Sequence, residues 1–409
     1  AVCYSTTMTA LDDPPRTARP VFDLLDPAFY QDGVGMHAAF TWMRDNEPVY
    51  RDDRNGLWAV TRHADLQEVE RRSSVFASDH AYRAVPAEEE INMIAQDDPR
   101  HRQQRMLVQG EFTGAAVAAR KPEIEALTTE LIDAMVLHAD VEVVDSLSGQ
   151  LPARLTCRLL GYPETMWREV KSWSERLMRT DMRDRDEMVM SDFIAANMEF
   201  VQALMPLAKE RAGCPAHDLI GTWVNATIDG EPLPPAAIVH EVGLFISGGA
   251  ETTRTAISHG LRAFVDHPEQ WEAMAADPSL VPGAVEEVLR WVTPLNNMFR
   301  RVVSPDRIGG QAVQPGDRII MLYPSANRDE AVFANPFTFD IHRDPNPHVA
   351  FGFGTHLCLG THVARTTLAA VFGQLSRRIT ELRVVAEPDV EPNIFARAVR
   401  SFRLGYAVR

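Results

Sequence analysis

Apolar residues recur at helical spacing over long parts of this chain, and two stretches carry that pattern furthest. From about Pro235 to Asp266, the run Ala236-Ala-Ile-Val-His-Glu-Val-Gly-Leu-Phe-Ile-Ser247 and its continuation Thr255-Ala-Ile-Ser-His-Gly-Leu261 predict the longest helix. Thr361-His-Val-Ala-Arg-Thr-Thr-Leu-Ala-Ala-Val-Phe-Gly-Gln-Leu375 predicts a second. Shorter helical segments are expected at Val285–Trp291 and after Pro99, a residue suited to a first helical turn. Strand signals are sparse. Asn55-Gly56 between apolar runs marks a hairpin. The pattern therefore predicts a mainly α chain with a small β region.

The centre of the longest helix breaks local rules. Gly248 and Gly249 are adjacent, each costing about 1 kcal/mol against alanine in a helix interior. Glu251 and Thr252 follow within an apolar stretch. Such violations mark functional positions. Missing side chains at Gly248 and Gly249 would let a flat cofactor and a small ligand approach the backbone. Thr252 can bond back to a carbonyl and open the ladder. The plainer reading makes Thr252 a kink cap and pairs Glu251 with an arginine.

Composition narrows the class. The 409 residues are 45% hydrophobic and 24% charged, with a formal net charge of −16. That excess of acid argues against nucleic acid and anionic membrane as partners. Cys3, Cys157, Cys214 and Cys358 lie far apart, which supplies neither a zinc site nor a disulfide framework and fits a reducing cytoplasm. The first sixteen residues have no cationic lead and no sustained apolar core, so neither a signal peptide nor a membrane anchor is expected. Residues 1–20 are expected to be disordered and 21–409 to form one domain.

One cysteine is framed for use. Phe351-Gly-Phe-Gly354-Thr-His356-Leu-Cys358-Leu-Gly360 is a glycine-rich hairpin closing on a thiol just before a predicted helix. Unpaired N–H groups and the positive end of the helix dipole favour a thiolate there. A thiolate so held is the axial ligand used when haem iron cleaves an O–O bond. Phe-x-x-Gly-x-x-x-Cys-x-Gly resembles the haem-binding signature of the cytochrome P450 superfamily, and Gly-Gly-Ala-Glu-Thr resembles that superfamily's central-helix motif.

The resemblance implies a triangular, helix-rich body with β structure mainly near residues 48–62 and 300–322. It implies haem b with Cys358 as the metal ligand, with Phe351, Gly360, Gly248 and Gly249 around the cofactor. Thr252 would stabilise activated dioxygen and Glu251 would relay protons from solvent. Asp98-Pro99-Arg-His101-x-x-x-Arg105 resembles a segment whose histidine and arginine reach the haem propionates. Arg301 and His356 match two further propionate partners, with Arg300 leaving the register open. Glu287 and Arg290, joined by Arg343, resemble a buried structural triad that holds the cysteine loop.

Pocket positions follow from the same resemblance: Met93, with Ile91 and Ile94; Leu244; Leu295 to Met298; and the late turn at Ile394 and Phe395. The segment Ser78–Gln96 has no legible geometry. The apolar set suits a hydrophobic small molecule. Finer matches at Glu251-Thr-Thr-Arg254, Ser325-Ala-Asn-Arg-Asp-Glu330 and Asp344-Pro-Asn-Pro-His-Val-Ala-Phe351 resemble an actinobacterial branch that hydroxylates sterol side chains and methyl-branched lipids. The expected activity is a monooxygenase fed by ferredoxin and ferredoxin reductase using NAD(P)H. Secondary-metabolite oxidation of a terpene or polyketide, peroxygenase chemistry and a haem-thiolate sensor are the alternatives. His356, His362 and Arg365, without an acid near them in sequence, mark a face where a small acidic redox protein could dock.

Overall fold

The computed structural model describes residues 19–182, 186–214 and 217–409. The expected disorder of the N-terminus concerns residues that lie, apart from Arg19 and Pro20, outside this range. A helix spanning Pro235–Asp266 runs through the centre. At 1.5 Å per residue its 32 residues extend about 48 Å. Val242, Ile246, Ala250, Ile257, Leu261 and Phe264 are buried along it, a stripe of three- and four-residue steps. That packing offsets the cost of its paired glycines.

Helices Val281–Val292 and Thr361–Arg378 pack beside it. Ile257, Leu261, Phe264, Val288, Leu289, Phe372 and Leu375 meet in one buried cluster. A second cluster joins the first half of the central helix to helices Gln150–Leu160, Trp167–Leu177 and Glu187–Arg211. The cavity described below lies between these two bodies of packing.

The main sheet has five strands in the order Val49–Asp52, Leu57–Val60, Arg318–Leu322, Asn297–Val302 and Phe76–Ala77. Its first pair is the expected hairpin, with Val49 opposite Val60, Asp52 opposite Leu57 and Gly56 at φ 67° in the turn. Arg318–Leu322 lies parallel to Leu57–Val60 and antiparallel to Asn297–Val302. A sheet with no counterpart in the sequence reading pairs Ile379–Val390 with Val399–Val408, and the latter with Asp140–Glu142. Register shifts interrupt that long ribbon, which disrupts the simple alternation that reveals a strand.

Candidate active site

The loop that presents Cys358 is built on one buried carboxylate. Arg290 grips Glu287 with two hydrogen bonds of 2.7 Å, and Arg343 Nε donates to the same carboxylate at 3.2 Å. Glu287 also accepts from the Asp340 N–H at 2.9 Å and from Asn346 at 3.1 Å. Arg290 spends its remaining donors on the carbonyls of Asn327, Pro336 and Thr338. Both partners of the Glu287–Arg290 pair are fully buried. The structure thus brings Glu287, Arg290 and Arg343 together and ties them to the 335–346 segment that leads into the cysteine loop.

Within that loop, Gly354 has φ 69° and a Cβ there would lie 2.4 Å from the Glu70 carbonyl oxygen. Only glycine fits. The Cys358 N–H donates to the Phe351 carbonyl at 2.9 Å, closing the turn. Its thiol opens onto a cavity of about 590 Å³ deep inside the molecule. Burial pushes the thiol above its ordinary pKa, while a Gly360 N–H and the charges of Arg105 and Arg365 pull it down.

Across the cavity runs the centre of the long helix. Thr252 Oγ1 donates to the Gly248 carbonyl at 2.9 Å, the back-bond expected of it. Gly248 and Thr252 both line the cavity. A Cβ on Gly248 would meet nothing within 4 Å, whereas one on Gly249 would lie 2.9 Å from Thr156 Oγ1. The two glycines therefore differ: the first leaves cavity space, and the second also admits a neighbouring helix. Glu251 does not face the cavity. Its side chain is buried and held at both oxygens by Arg254, which also bonds Glu175. Burial raises its pKa and Arg254 opposes the shift.

At the cavity's end near the cysteine loop, four polar side chains converge. His101, Arg105, Arg300 and His356 all line it. His101 Nδ1 donates to Asp98 Oδ1 at 3.1 Å, and its ring centre lies 4.2 Å from that of His356. His356 Nε2 is buried with no hydrogen-bond partner. Burial lowers the pKa of His356 to about 4 and also lowers that of His101, so both rings are neutral near pH 7. Arg105 Nη2 donates to the Leu357 carbonyl at 2.8 Å.

Arg301 is a correction. Neighbouring residues on a strand point to opposite faces, and here Arg300 turns inward while Arg301, 41% exposed, pairs with Asp79 outside the cavity. A buried acid that the sequence did not flag stands beside Arg300. Glu70 lies 3.9 Å from it and accepts from Tyr323 Oη at 2.7 Å; burial raises its pKa to about 7.

Met93, Leu244, Leu295, Met298 and Phe395 line the remaining walls, as does Ile94. Ile394 does not: it is fully buried in the cluster around Tyr30, Phe40 and Phe299. Asn296 and Asn297 are turned from the cavity too, donating to carbonyls at 393–394 and thereby fixing the turn that carries Phe395. The Ser78–Gln96 segment is tied to the central helix. The Met93 N–H donates to Glu241 at 2.8 Å and the Ile91 N–H to His240 at 3.1 Å. Burial raises Glu241 to about 8, against the Met93 hydrogen bond. On the outer face, Arg365 is not free of acid, because Glu286 takes two hydrogen bonds from it at 2.7 and 2.8 Å. Burial alone would raise Glu286, but Arg365 and His348 hold it at about 2.

The donor set fits haem. Among the described residues no cluster of three or more His, Cys, Asp or Glu could cage a metal by itself. A single cavity-facing thiol, an apolar slot beside Gly248, and a buried imidazole whose Nε2 makes no hydrogen bond and lies 3.9 Å from Asp97, next to two arginines, suit an iron held by a macrocycle with carboxylate arms. Fold and site together define a haem-thiolate enzyme. A family model for cytochrome P450 matches residues 156–395. A steroid C26-monooxygenase of Mycobacterium tuberculosis (strain ATCC 25618 / H37Rv) is 37% identical, over 92% of this chain and 94% of that protein. One from Mycolicibacterium smegmatis is 38% identical over 91% and 92%. A solved cytochrome P450 of Mycobacterium marinum in complex with pseudoionone is 32% identical, with a TM-score of 0.87, covering 95% of this chain and 100% of that one. The chain belongs to the cytochrome P450 family and is a monooxygenase.

Proposed function

We propose that this enzyme inserts one oxygen atom from O2 into a terminal or near-terminal C–H bond of a steroid side chain or a similar branched isoprenoid chain. The observation that carries this reading is the joining of an apolar wall (Met93, Leu244, Leu295, Met298, Phe395) to the Cys358 and Thr252 end of one cavity. Two relatives near 37% identity, both named for oxidation at steroid C26, support the substrate class.

Haem, when bound to Cys358, supplies the activation of dioxygen. The chain's own work surrounds that. Arg105, Arg300, His101 and His356 would hold the propionates: neutral His356 can donate its one N–H, His101, whose N–H goes to Asp98, can donate a second only as the imidazolium that a nearby anion favours, and the guanidinium groups offset charge. Gly248 leaves room beside the cofactor. Thr252 keeps a hydroxyl at the cavity, where it can hold or pass a proton once it releases the Gly248 carbonyl. Glu251, clasped by Arg254, which Glu175 holds in turn, can move protons only if that clasp loosens, which makes Arg254 part of the relay. The apolar wall excludes water and orients the chain end. Electrons would come from NAD(P)H through a ferredoxin and its reductase in the cytoplasm. No described helix is long and apolar enough to cross a membrane.

The test is a carbon monoxide difference spectrum of the reduced protein, then a titration with a panel of steroids. A strongly red-shifted Soret band with a low-to-high-spin shift on adding a steroid is the expected result. An unshifted band in folded protein would overturn the role of Cys358. A correct band with no steroid response would turn the search to terpenes, fatty acids and macrolides.

A further inference from the structure

The Ser78–Gln96 segment puts a charged side chain into the apolar end of the cavity. Arg83 lines it and is only 7% exposed. Its guanidinium carbon sits 3.9 Å from the centre of the Phe395 ring. Nη1 approaches Asp181 at 3.4 Å, and Nη2 lies 3.9 Å from Met178 Sδ. Its backbone carbonyl is taken by Arg318 Nη2 at 2.7 Å, which fixes where the side chain starts. Asp181 is 1% exposed and also accepts from the Val85 N–H.

A guanidinium offers five N–H donors in one plane. Among the described residues, one long charge contact to Asp181, one weak sulfur contact to Met178 and the neighbouring Tyr82 engage it, and Nε makes no hydrogen bond. The surroundings, Met178, Leu295, Met298 and Phe395, cluster together and are apolar. Donors left unmade in such a place are costly. They are also badly placed for a purely structural pin, which would be bonded as fully as Arg290 is.

We propose that Arg83 is a specificity-determining residue that donates a hydrogen bond to a neutral carbonyl oxygen on the substrate. This rests on the reading that the substrate is a hydrophobic steroid or isoprenoid skeleton, and it names the polar group that skeleton carries. The side chain's contacts are with Asp181, Met178, Phe395 and Tyr82, not with Thr252. The carbonyl therefore lies on a part of the molecule away from the oxidised carbon. Charge selects the oxygen type. Asp181 already offsets the arginine, so a carboxylate would set a second anion against Asp181 in an apolar wall. A ketone brings acceptor lone pairs and no charge.

The experiment compares dissociation constants from spin-state titrations of the haem-loaded enzyme with three steroids: a ring ketone, its deoxy analogue and a ring carboxylic acid. The native enzyme is expected to hold the ketone about tenfold or more tighter than the deoxy compound. Arg83→Leu should erase that difference, and Arg83→Lys, which keeps a donor, should restore part of it. Asp181→Asn, which retains an acceptor for the Val85 N–H but removes the negative charge, should turn the preference toward the acid. Equal binding of ketone and deoxy steroid by the native enzyme would overturn the proposal, as would a ketone preference that survives Arg83→Leu. So would an Arg83→Leu protein that no longer loads haem, because the arginine would then serve the cofactor or the fold. The same comparison is run with an open-chain isoprenoid ketone and its hydrocarbon. If no steroid binds but this pair is distinguished through Arg83, the steroid reading fails and the role of Arg83 stands; if neither series is distinguished, Arg83 fails.

Discussion

On the Cys358 side of the cavity, one buried carboxylate, Glu287, receives five hydrogen bonds, three of them from two arginines. On the opposite side, the Ser78–Gln96 wall is tied to the central helix by Glu241 and His240, each accepting one backbone N–H. Glu241 is just as buried as Glu287, yet its second oxygen has no partner. The saturated acid belongs to a loop that must hold one geometry for an iron ligand. The under-bonded acid sits on the central helix and holds a wall that lines the apolar part of the cavity. The wall's ties to the central helix are thus single bonds, while Tyr82 and Arg83 are also held through their carbonyls by the Phe299 N–H and Arg318.

Removing Cys358 tests the rigid side most severely. Cys358→Ala is expected to abolish the red-shifted band of the reduced carbon monoxide complex entirely, and a surviving band would assign the iron to another ligand. Next in size is Glu287→Ala. It leaves Arg290 and Arg343 as buried cations without their carboxylate, which costs about 3–5 kcal/mol; urea unfolding should show that loss together with loss of haem. A small effect would mean the backbone carbonyls around Arg290 suffice.

Thr252→Ala probes the central helix between the two walls. Substrate affinity is expected to hold, while product formed per NAD(P)H falls by roughly tenfold or more and hydrogen peroxide rises. Unchanged coupling would reject a role for the hydroxyl.

On the opposite wall, Glu241→Gln keeps an acceptor for the Met93 N–H and removes the ionisation. The acid's folded pKa, about 8, exceeds its ordinary value of 4.5. The folded state therefore binds the proton more tightly than the unfolded state, and the native residue costs stability increasingly as pH rises from 4.5 to 8, then levels off. Thermal or urea unfolding of both proteins should show the Gln variant gaining by up to a few kcal/mol over that window. A pH-independent difference would mean that Glu241 is not a neutral buried acid. The smallest effect is expected at the outer face: Glu286→Gln frees the partly exposed Arg365, tightening binding of an acidic ferredoxin a few-fold at low salt and not at high salt, with stability changed by about 1 kcal/mol or less.

The legible parts of this site were local. Cys358 with its flanking glycines, Gly248 to Thr252, and the i,i+3 pair Glu287–Arg290 each sit within one short stretch, so residue order alone puts their groups together. Arg301 shows where that stops. A strand turns consecutive side chains to opposite faces, and nothing in Arg300-Arg301 says which face meets the cavity; pairing of Ile319 with Arg300 on the neighbouring strand settles it. Ile394 and Phe395 pose the same problem in a turn, resolved by Asn296, Asn297 and the core around Tyr30. Glu251 is a third case, since the hold of Glu175 on Arg254 joins residues 79 apart.

By itself, the order of residues determined the class of chemistry: a thiol in a glycine-framed loop, a helical run with paired glycines bearing acid and hydroxyl, and helical periodicity enough for a large α body. Those features depend on spacings of a few residues, which the chain carries into any fold it adopts. Which arginine faces the cavity, whether Glu251 is free or clasped, and that Arg83 projects among Met178, Asp181 and Phe395 were decided only by tertiary packing. Each depends on segments tens to hundreds of residues apart meeting at one distance and one rotation, and a one-residue change of face on a strand or turn reverses the answer.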